Sequence, residues 1–212
     1  MSSQEPGPLS RAWDVAVRAL GGTSAEDGTL ETTYGSADRS YHDTAHVVQV
    51  LRDSADLAGH LPERVRAHVA LAALAHDVVY DGKAGDDEQA SAAWARKRLL
   101  DQSVPERDAD EVARLVLATT DHVVSPDDSP GLALMDADLA VLGGDATSYD
   151  VYAAKVRREY SLYDDATWAL GRSAVLRELL SHEHLYQSPA ARDRWEAAAR
   201  ANLTRELTSY LG

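Results

Sequence analysis

At 212 residues the chain can bury one sizeable core, and 44% hydrophobic with 26% charged residues is the balance of a single folded domain rather than of a disordered chain. A formal net charge of −14 repels polyanions, which argues against general nucleic-acid or anionic-membrane binding but leaves room for a small phosphate ester at a locally positive site. The absence of Cys removes disulfides, thiolate metal sites and cysteine nucleophiles together, and the absence of Phe leaves Leu, Val, Ala, Trp and Tyr to fill the core.

Residues 1–8 hold two prolines and little to bury, so they are expected to form a disordered arm ahead of a domain spanning 9–212. They lack a charged-then-apolar signal pattern, and no window approaches the ~18 apolar residues of a membrane span, so a cytoplasmic protein is expected. Leu9, Trp13, Ala16, Val17 and Leu20 recur at helical spacing up to a stop at Gly21-Gly22. Thr23 to Ser40 is polar and Gly-containing, and reads as a loop. From Asp43 to about Ala58 the spacing of Val47, Leu51, Ala55 and Ala58 suits an amphipathic helix, with His42 and His46 on one face if that helix starts early enough. Leu61-Pro62-Glu63 opens the next helix. There Val65, Val69, Ala72 and His76 form one stripe and Leu71, Leu74 and Val78 a second, so this helix is expected at the centre of the fold.

After the turn Asp81-Gly82-Lys83-Ala84-Gly85, the acidic run Asp86-Asp87-Glu88 starts a helix to about Leu100, where carboxylates suit the N-terminal dipole. A further helix spans roughly Arg107 to His122, and a Pro- and Asp-rich loop follows over 125–131. Leu132 to Leu142 reads as a short apolar helix with Asp136 and Asp138 embedded in it. The last helices run roughly from Ser148 to Tyr160, Asp165 to Ser181, and Pro189 to Tyr210, the last with Ser188 as N-cap. With no predicted strand, repeat or long linker, the chain is expected to be an all-α, single-domain bundle of about eight or nine helices.

An adjacent His76-Asp77 pair ends the apolar run Ala72-Ala73-Leu74-Ala75. Burying both is costly unless each finds a partner, and one metal ion satisfies both. His46 stands thirty residues earlier and Asp138 later, each on a helix among apolar neighbours. Two imidazoles and two carboxylates make a mixed nitrogen and oxygen site suited to one divalent ion: Mn, Fe, Co, Ni, Zn or Mg. Asp136 and Asp138 project roughly 200° apart on a helix, and the residues flanking Asp138 favour it as the fourth ligand.

The order His, His-Asp, Asp on helices resembles the HD superfamily of metal-dependent phosphohydrolases, and more closely a poorly characterised group of predicted phosphohydrolases within it. The matching pieces are Arg39-Ser40-Tyr41-His42-Asp43-Thr44-Ala45-His46, Ala75-His76-Asp77-Val78-Val79-Tyr80-Asp81, the segment from Asp86 to Ala92, Leu115 to His122, Met135 to Gly143, Arg157-Arg158-Glu159-Tyr160 and Gly171-Arg172. They cover about residues 34–186 in order. Asp87 stands where the group usually has Asn, and Leu74-Ala75 replaces a bulkier Trp-Phe pair.

The resemblance implies an HD-type fold and metal-assisted hydrolysis of a phosphate ester, a small phosphorylated metabolite or a nucleotide. It makes His46, His76, Asp77 and Asp138 the metal ligands, with Asp77 also counted as catalytic. Glu88 becomes a general base or water-orienting group; its alternative is a first-turn helix stabiliser. Arg39, Arg157 and Arg172 could hold phosphate oxygens, although for the latter two a structural salt bridge is the competing role. His42 and His122 are candidate substrate residues, with a surface and a core histidine as their respective alternatives. His60, His68, His182 and His184 read as surface histidines. A homodimer is compatible with the sequence. Two competing functions are an HD-type di-iron oxygenase, for which His42 and His122 are the only spare ligands, and a non-catalytic metal-binding or ligand-binding module.

Overall fold

The computed structural model describes residues 7–23, 28–83 and 85–210, and among these residues there are helices and no strand. Pro8, assigned above to the arm, begins α1 (Pro8–Ala19), where its missing N–H and fixed φ suit the first turn. Leu9, Trp13 and Val17 on its inner face are fully buried. Residues 1–6 of the expected arm lie outside the described residues.

The expected loop over 23–40 is interrupted by a short helix, α2 (Thr29–Tyr34). It buries Leu30 and Tyr34, and the Tyr34 hydroxyl donates to the Leu74 carbonyl at 3.0 Å. Two apolar residues in a polar stretch are too few to show a period, yet the tertiary contacts of both suffice to hold one and a half turns.

Then follow α3 (Thr44–Leu57), α4 (Glu63–Ala75), α5 (Asp86–Asp101) and α6 (Glu106–Leu117), the last continued by a 3-10 turn at Ala118–Thr120. Next is α7 (Ser129–Asp138), which tightens into a 3-10 turn at Leu139–Gly143. Its core is central: α4 packs against α1, α3, α5, α6 and α7, and Leu71 through Ala75 have no exposed surface. A helix apolar on nearly every side has no solvent face to offer, so neighbours enclose it.

His68 corrects the reading of it as a surface histidine. It is buried, and its Nε2 lies 2.9 Å from the Asp108 carboxylate, which Arg64 also holds. This network ties α4 to α6 through a carboxylate that pays for its burial with two cationic or polar partners.

The C-terminal part adds α8 (Ala146–Glu159), α9 (Asp165–Ser181), α10 (Pro189–Ala191), a π-helical turn at Arg192–Glu196 and α11 (Ala197–Ser209). Ser188 caps α10 as expected, its hydroxyl accepting from Ala191 N–H at 3.2 Å. A second apolar cluster, including Tyr149, Leu176, Tyr186 and Leu203, forms here and meets the first through Leu57. Gly143 permits a close approach: a Cβ there would fall 2.5 Å from the Trp195 Cβ and 2.9 Å from its Cα and carbonyl oxygen. No helix among the described residues is long and apolar enough to cross a membrane.

Candidate metal centre

Four side chains meet at the start of α3 and the ends of α4 and α7. His46 sits in the first turn of α3, fixed because the Asp43 side chain caps the helix, accepting from the N–H groups of Ala45 and His46 at 2.9 and 3.1 Å. The helix therefore starts too late to include His42, although the rings of His42 and His46 still meet edge to face at 5.6 Å. His76 is the C-cap of α4 and Asp77 follows it. Asp138 ends α7. Both carboxylates thus stand at helix C-termini, where the dipole disfavours negative charge and a cation is favoured.

His46 Nε2 and His76 Nε2 are 3.2 Å apart. Asp77 Oδ2 lies 3.4 Å from the first and 3.1 Å from the second. Asp138 Oδ1 lies 3.2 and 3.5 Å from the same two nitrogens. A divalent ion about 2.1 Å from its ligands sets neighbouring ligand atoms about 3.0 Å apart in an octahedron and about 3.4 Å apart in a tetrahedron, so the His46, His76 and Asp77 donors fit one ion, with Asp138 Oδ1 beside both imidazoles. The atoms of His46, His76 and Asp77 form the mutually close set, all within 4.8 Å of one another, and Asp138 joins it through the two imidazoles.

The outer contacts of the cluster orient its donors. His76 Nδ1 is 2.9 Å from the Ala73 carbonyl, and a carbonyl only accepts, so Nδ1 carries the proton and Nε2 faces the cluster. Asp138 directs Oδ1 to the imidazoles while its Oδ2 lies 2.9 Å from His122 Nε2. His122 holds this position with φ 55°, a left-handed conformation that non-glycine residues rarely adopt. Gln187 supports it by donating to its carbonyl at 2.5 Å.

Burial opposes the charged forms of all four groups, yet their mutual pairing outweighs it. The two imidazoles titrate above the ordinary value, His76 well above, because Asp77 and Asp138 flank them. Asp77 and Asp138 titrate well below the usual carboxylate range, mainly through His76 and, for Asp138, also His122. Protons on the imidazoles or a divalent ion can each balance the two carboxylates.

Asp136 does not join the cluster, although it is the more buried of the two aspartates and Asp138 is partly open to the cavity. Its oxygens accept from the N–H groups of Gln187 and Ser188 at 2.7 and 2.8 Å, anchoring the start of α10. Burial raises its titration despite those bonds.

The cluster lies on a cavity of about 320 Å³ whose wall also carries His42, Tyr80, Glu88, His122 and Arg172. A larger groove of about 570 Å³ between α1, α3 and α4 shares no lining residue with this cavity and holds none of the four donors, so the chemistry belongs to the smaller one. Glu88 is on the cavity wall and at the same time closes the first turn of α5, its Oε2 accepting from Gly85 N–H at 2.5 Å.

Two of the arginines expected at the site are placed elsewhere. Arg39 spends its guanidinium on the carbonyls of His42, Asp77 and Val78 at 3.3, 2.5 and 3.0 Å, clamping the chain just past α4. Arg157 binds the carbonyls of Tyr160 and Tyr163 and the Asp165 carboxylate, holding the α8–α9 turn. Arg172 does reach the cavity, but it is buried in a two-point pair with Glu206 at 2.8 and 3.0 Å.

Glu159 and Tyr41 are neighbours of the site that sequence reasoning gave no role. Glu159 Oε1 accepts from the N–H groups of Ser40, Tyr41 and His42 at 2.9, 2.7 and 3.0 Å, and Oε2 pairs with His42 Nδ1 at 2.7 Å. This fixes the loop that presents His42, whose ring stacks on Tyr80 with 4.0 Å between centroids. Tyr41 lies between Tyr152 and His46, each centroid 4.8 Å away. Their sequence signals were the segments Arg39 to His46 and Arg157 to Tyr160, read above through their histidines and arginines.

Burial disfavours the Glu159 carboxylate, but His42 and the backbone donors hold its pKa down to about 2. A depressed carboxylate stabilises the fold above its ordinary value of 4.5 and loses that contribution as pH falls towards about 2. Glu159→Gln should therefore cost about 1–3 kcal/mol near neutrality. In denaturant melts the gap from wild type should narrow below its ordinary pKa of 4.5. A pH-independent gap would contradict this assignment.

Comparison with protein-family models, with curated proteins and with solved structures gave no match.

Proposed function

We propose that the chain is a metal-dependent hydrolase of a small phosphate ester. The observation that carries this reading is the convergence of His46 and His76, their Nε2 atoms 3.2 Å apart and each 3.1–3.5 Å from both Asp77 and Asp138, on one polar cavity. The order of these residues, which resembles that of HD phosphohydrolases, supports it independently. A divalent ion held there would lower the pKa of water and offset phosphoryl charge.

The remaining work falls to the chain. His76 and Asp138 are oriented by Ala73 and His122, which hold His76 Nε2 and Asp138 Oδ1 towards the cluster. His42 and His122, each fixed through one ring nitrogen, and Arg172 are the basic groups of the wall that would face phosphoryl oxygens. Glu88 has one oxygen committed to Gly85 and the other available to accept a proton from water.

The test is elemental analysis of the purified protein with a hydrolysis screen over nucleotides and phosphorylated metabolites in Mn and Co. One ion per chain with turnover of an ester is the expected result. Two ions with oxygen-dependent turnover would replace this reading by a di-iron oxygenase, and a bound ion with a wholly negative screen would replace it by a binding module.

Ion binding must displace the protons that His46 and His76 hold above the ordinary imidazole value of 6.5. Mn affinity is therefore expected to weaken as pH falls, beginning above that value, with proton release on binding. Calorimetry between about pH 6 and 9 in buffers of different ionisation enthalpy would measure both, and a pH-independent affinity would exclude these histidines as ligands.

A further inference from the structure

We infer that the pocket between α8 and α9 is a subsite for a planar aromatic ring on the alcohol part of the ester, walled by Tyr160, Tyr163 and Trp168. This rests on the phosphate-ester reading above and extends it to a substrate class: phosphate monoesters that carry a flat ring.

Continuity comes first. The pocket has a volume of about 370 Å³, within the range of small-molecule sites, and Arg172 and Val175 line both it and the candidate metal cavity. A ligand with its phosphate near the cluster would meet this pocket as the next space.

The walls are suited to a ring. Tyr160 packs directly on Trp168 and on Tyr163, with centroids 5.5 and 6.2 Å apart, so the three rings form one continuous aromatic wall, with the Arg157 guanidinium over Trp168. Tyr160 and Tyr163 are 37% and 52% exposed, so large aromatic area is left uncovered by the fold itself. Such area costs hydration free energy and is offset when a flat apolar group covers it.

Gly171 gives the most specific sign. It lies on the pocket wall within α9, has no left-handed φ, and a Cβ built there meets nothing within 4 Å. Neither backbone conformation nor packing requires glycine, and glycine in a helix interior costs about 1 kcal/mol relative to alanine. A longer side chain at this exposed position of the pocket wall would occupy open space beside the rings.

The experiment compares kcat/KM in Mn for ring-bearing esters (adenosine and uridine monophosphates, phenyl phosphate) with that for ribose 5-phosphate, in wild type and in Gly171→Leu. A stacked ring contributes about 1–3 kcal/mol, so wild type should favour the ring-bearing esters by about tenfold or more. Gly171→Leu, which fills the pocket with a good helix former, should collapse that ratio. Gly171→Ala should melt no lower than wild type, separating loss of room from loss of folding. Preference for the nucleotides over phenyl phosphate would assign the ring to a nucleobase, and equal rates to any aryl group.

Metal-free calorimetry with adenosine and benzyl alcohol distinguishes the two readings. Ring binding lost in Gly171→Leu without hydrolysis of any ester would keep the subsite and overturn the hydrolase. Hydrolysis with no ring preference, or a ratio unmoved in Gly171→Leu, would overturn the subsite and keep the hydrolase. Absence of both, with self-association abolished by Leu162→Asp on the 96% exposed tip of this hairpin, would assign the face to a second copy of the chain and overturn the subsite.

Discussion

Asp77→Ala is expected to lose bound metal and ester hydrolysis together while keeping the helical fold. The side chain is partly open to the cavity, and its close partners are the two imidazoles of the cluster. Removing it subtracts one of four donors and half of the negative charge that would balance a divalent ion. Outer partners of a ligand alone are worth about 10–100-fold in metal affinity, so losing a ligand should cost about 100-fold or more. Elemental analysis, circular dichroism and steady-state kinetics on the same preparation check this. Retained metal and turnover would remove Asp77 from the site. Asp136→Ala supplies the contrast: it should keep the metal and lose about 1–3 kcal/mol of stability, because the N–H groups of Gln187 and Ser188 would lose a buried acceptor.

Glu206→Ala is expected to destabilise the C-terminal core by about 3–5 kcal/mol, because it leaves the Arg172 guanidinium buried without its counter-charge. Burial opposes the Glu206 carboxylate, but Arg172, with help from the Tyr149 and Tyr210 hydroxyls, holds it below its ordinary value. Replacing both partners, as in Arg172→Met with Glu206→Leu, should recover much of the loss, since an apolar pair of similar volume carries no unmet desolvation. Urea titration of the two single variants and the double variant measures the coupling, and additive losses would show that the pair is not a unit. The same series bears on the site, because Arg172 walls both the metal cavity and the α8–α9 pocket.

The helices and the four clustered residues were legible in the sequence for separate reasons. Periodicity exposed α4 because its apolar stripes wrap the helix, and the bounds of α9 match the expected 165–181. The expected end at His122 and start at Leu132 differ from the structure because short 3-10 turns and an Asp128 cap reset those boundaries. His68 was misread as exposed because its partner Asp108 lies forty residues away on another helix. Asp138 was favoured over Asp136 on its flanking residues and on the resemblance, and its partial exposure to the cavity is what lets it meet the imidazoles.

By itself the sequence determined the all-helical class, the central place of α4 and the presence of His46, His76, Asp77 and Asp138 in or just beyond helices, since periodicity and local composition govern these. Only the tertiary structure decided that the four donors converge, that Arg39 and Arg157 are spent on carbonyls, and that Glu159 anchors the loop of His42 from 117 residues away. Helical spacing fixes which face a side chain occupies, but which faces meet depends on packing between segments distant in the chain.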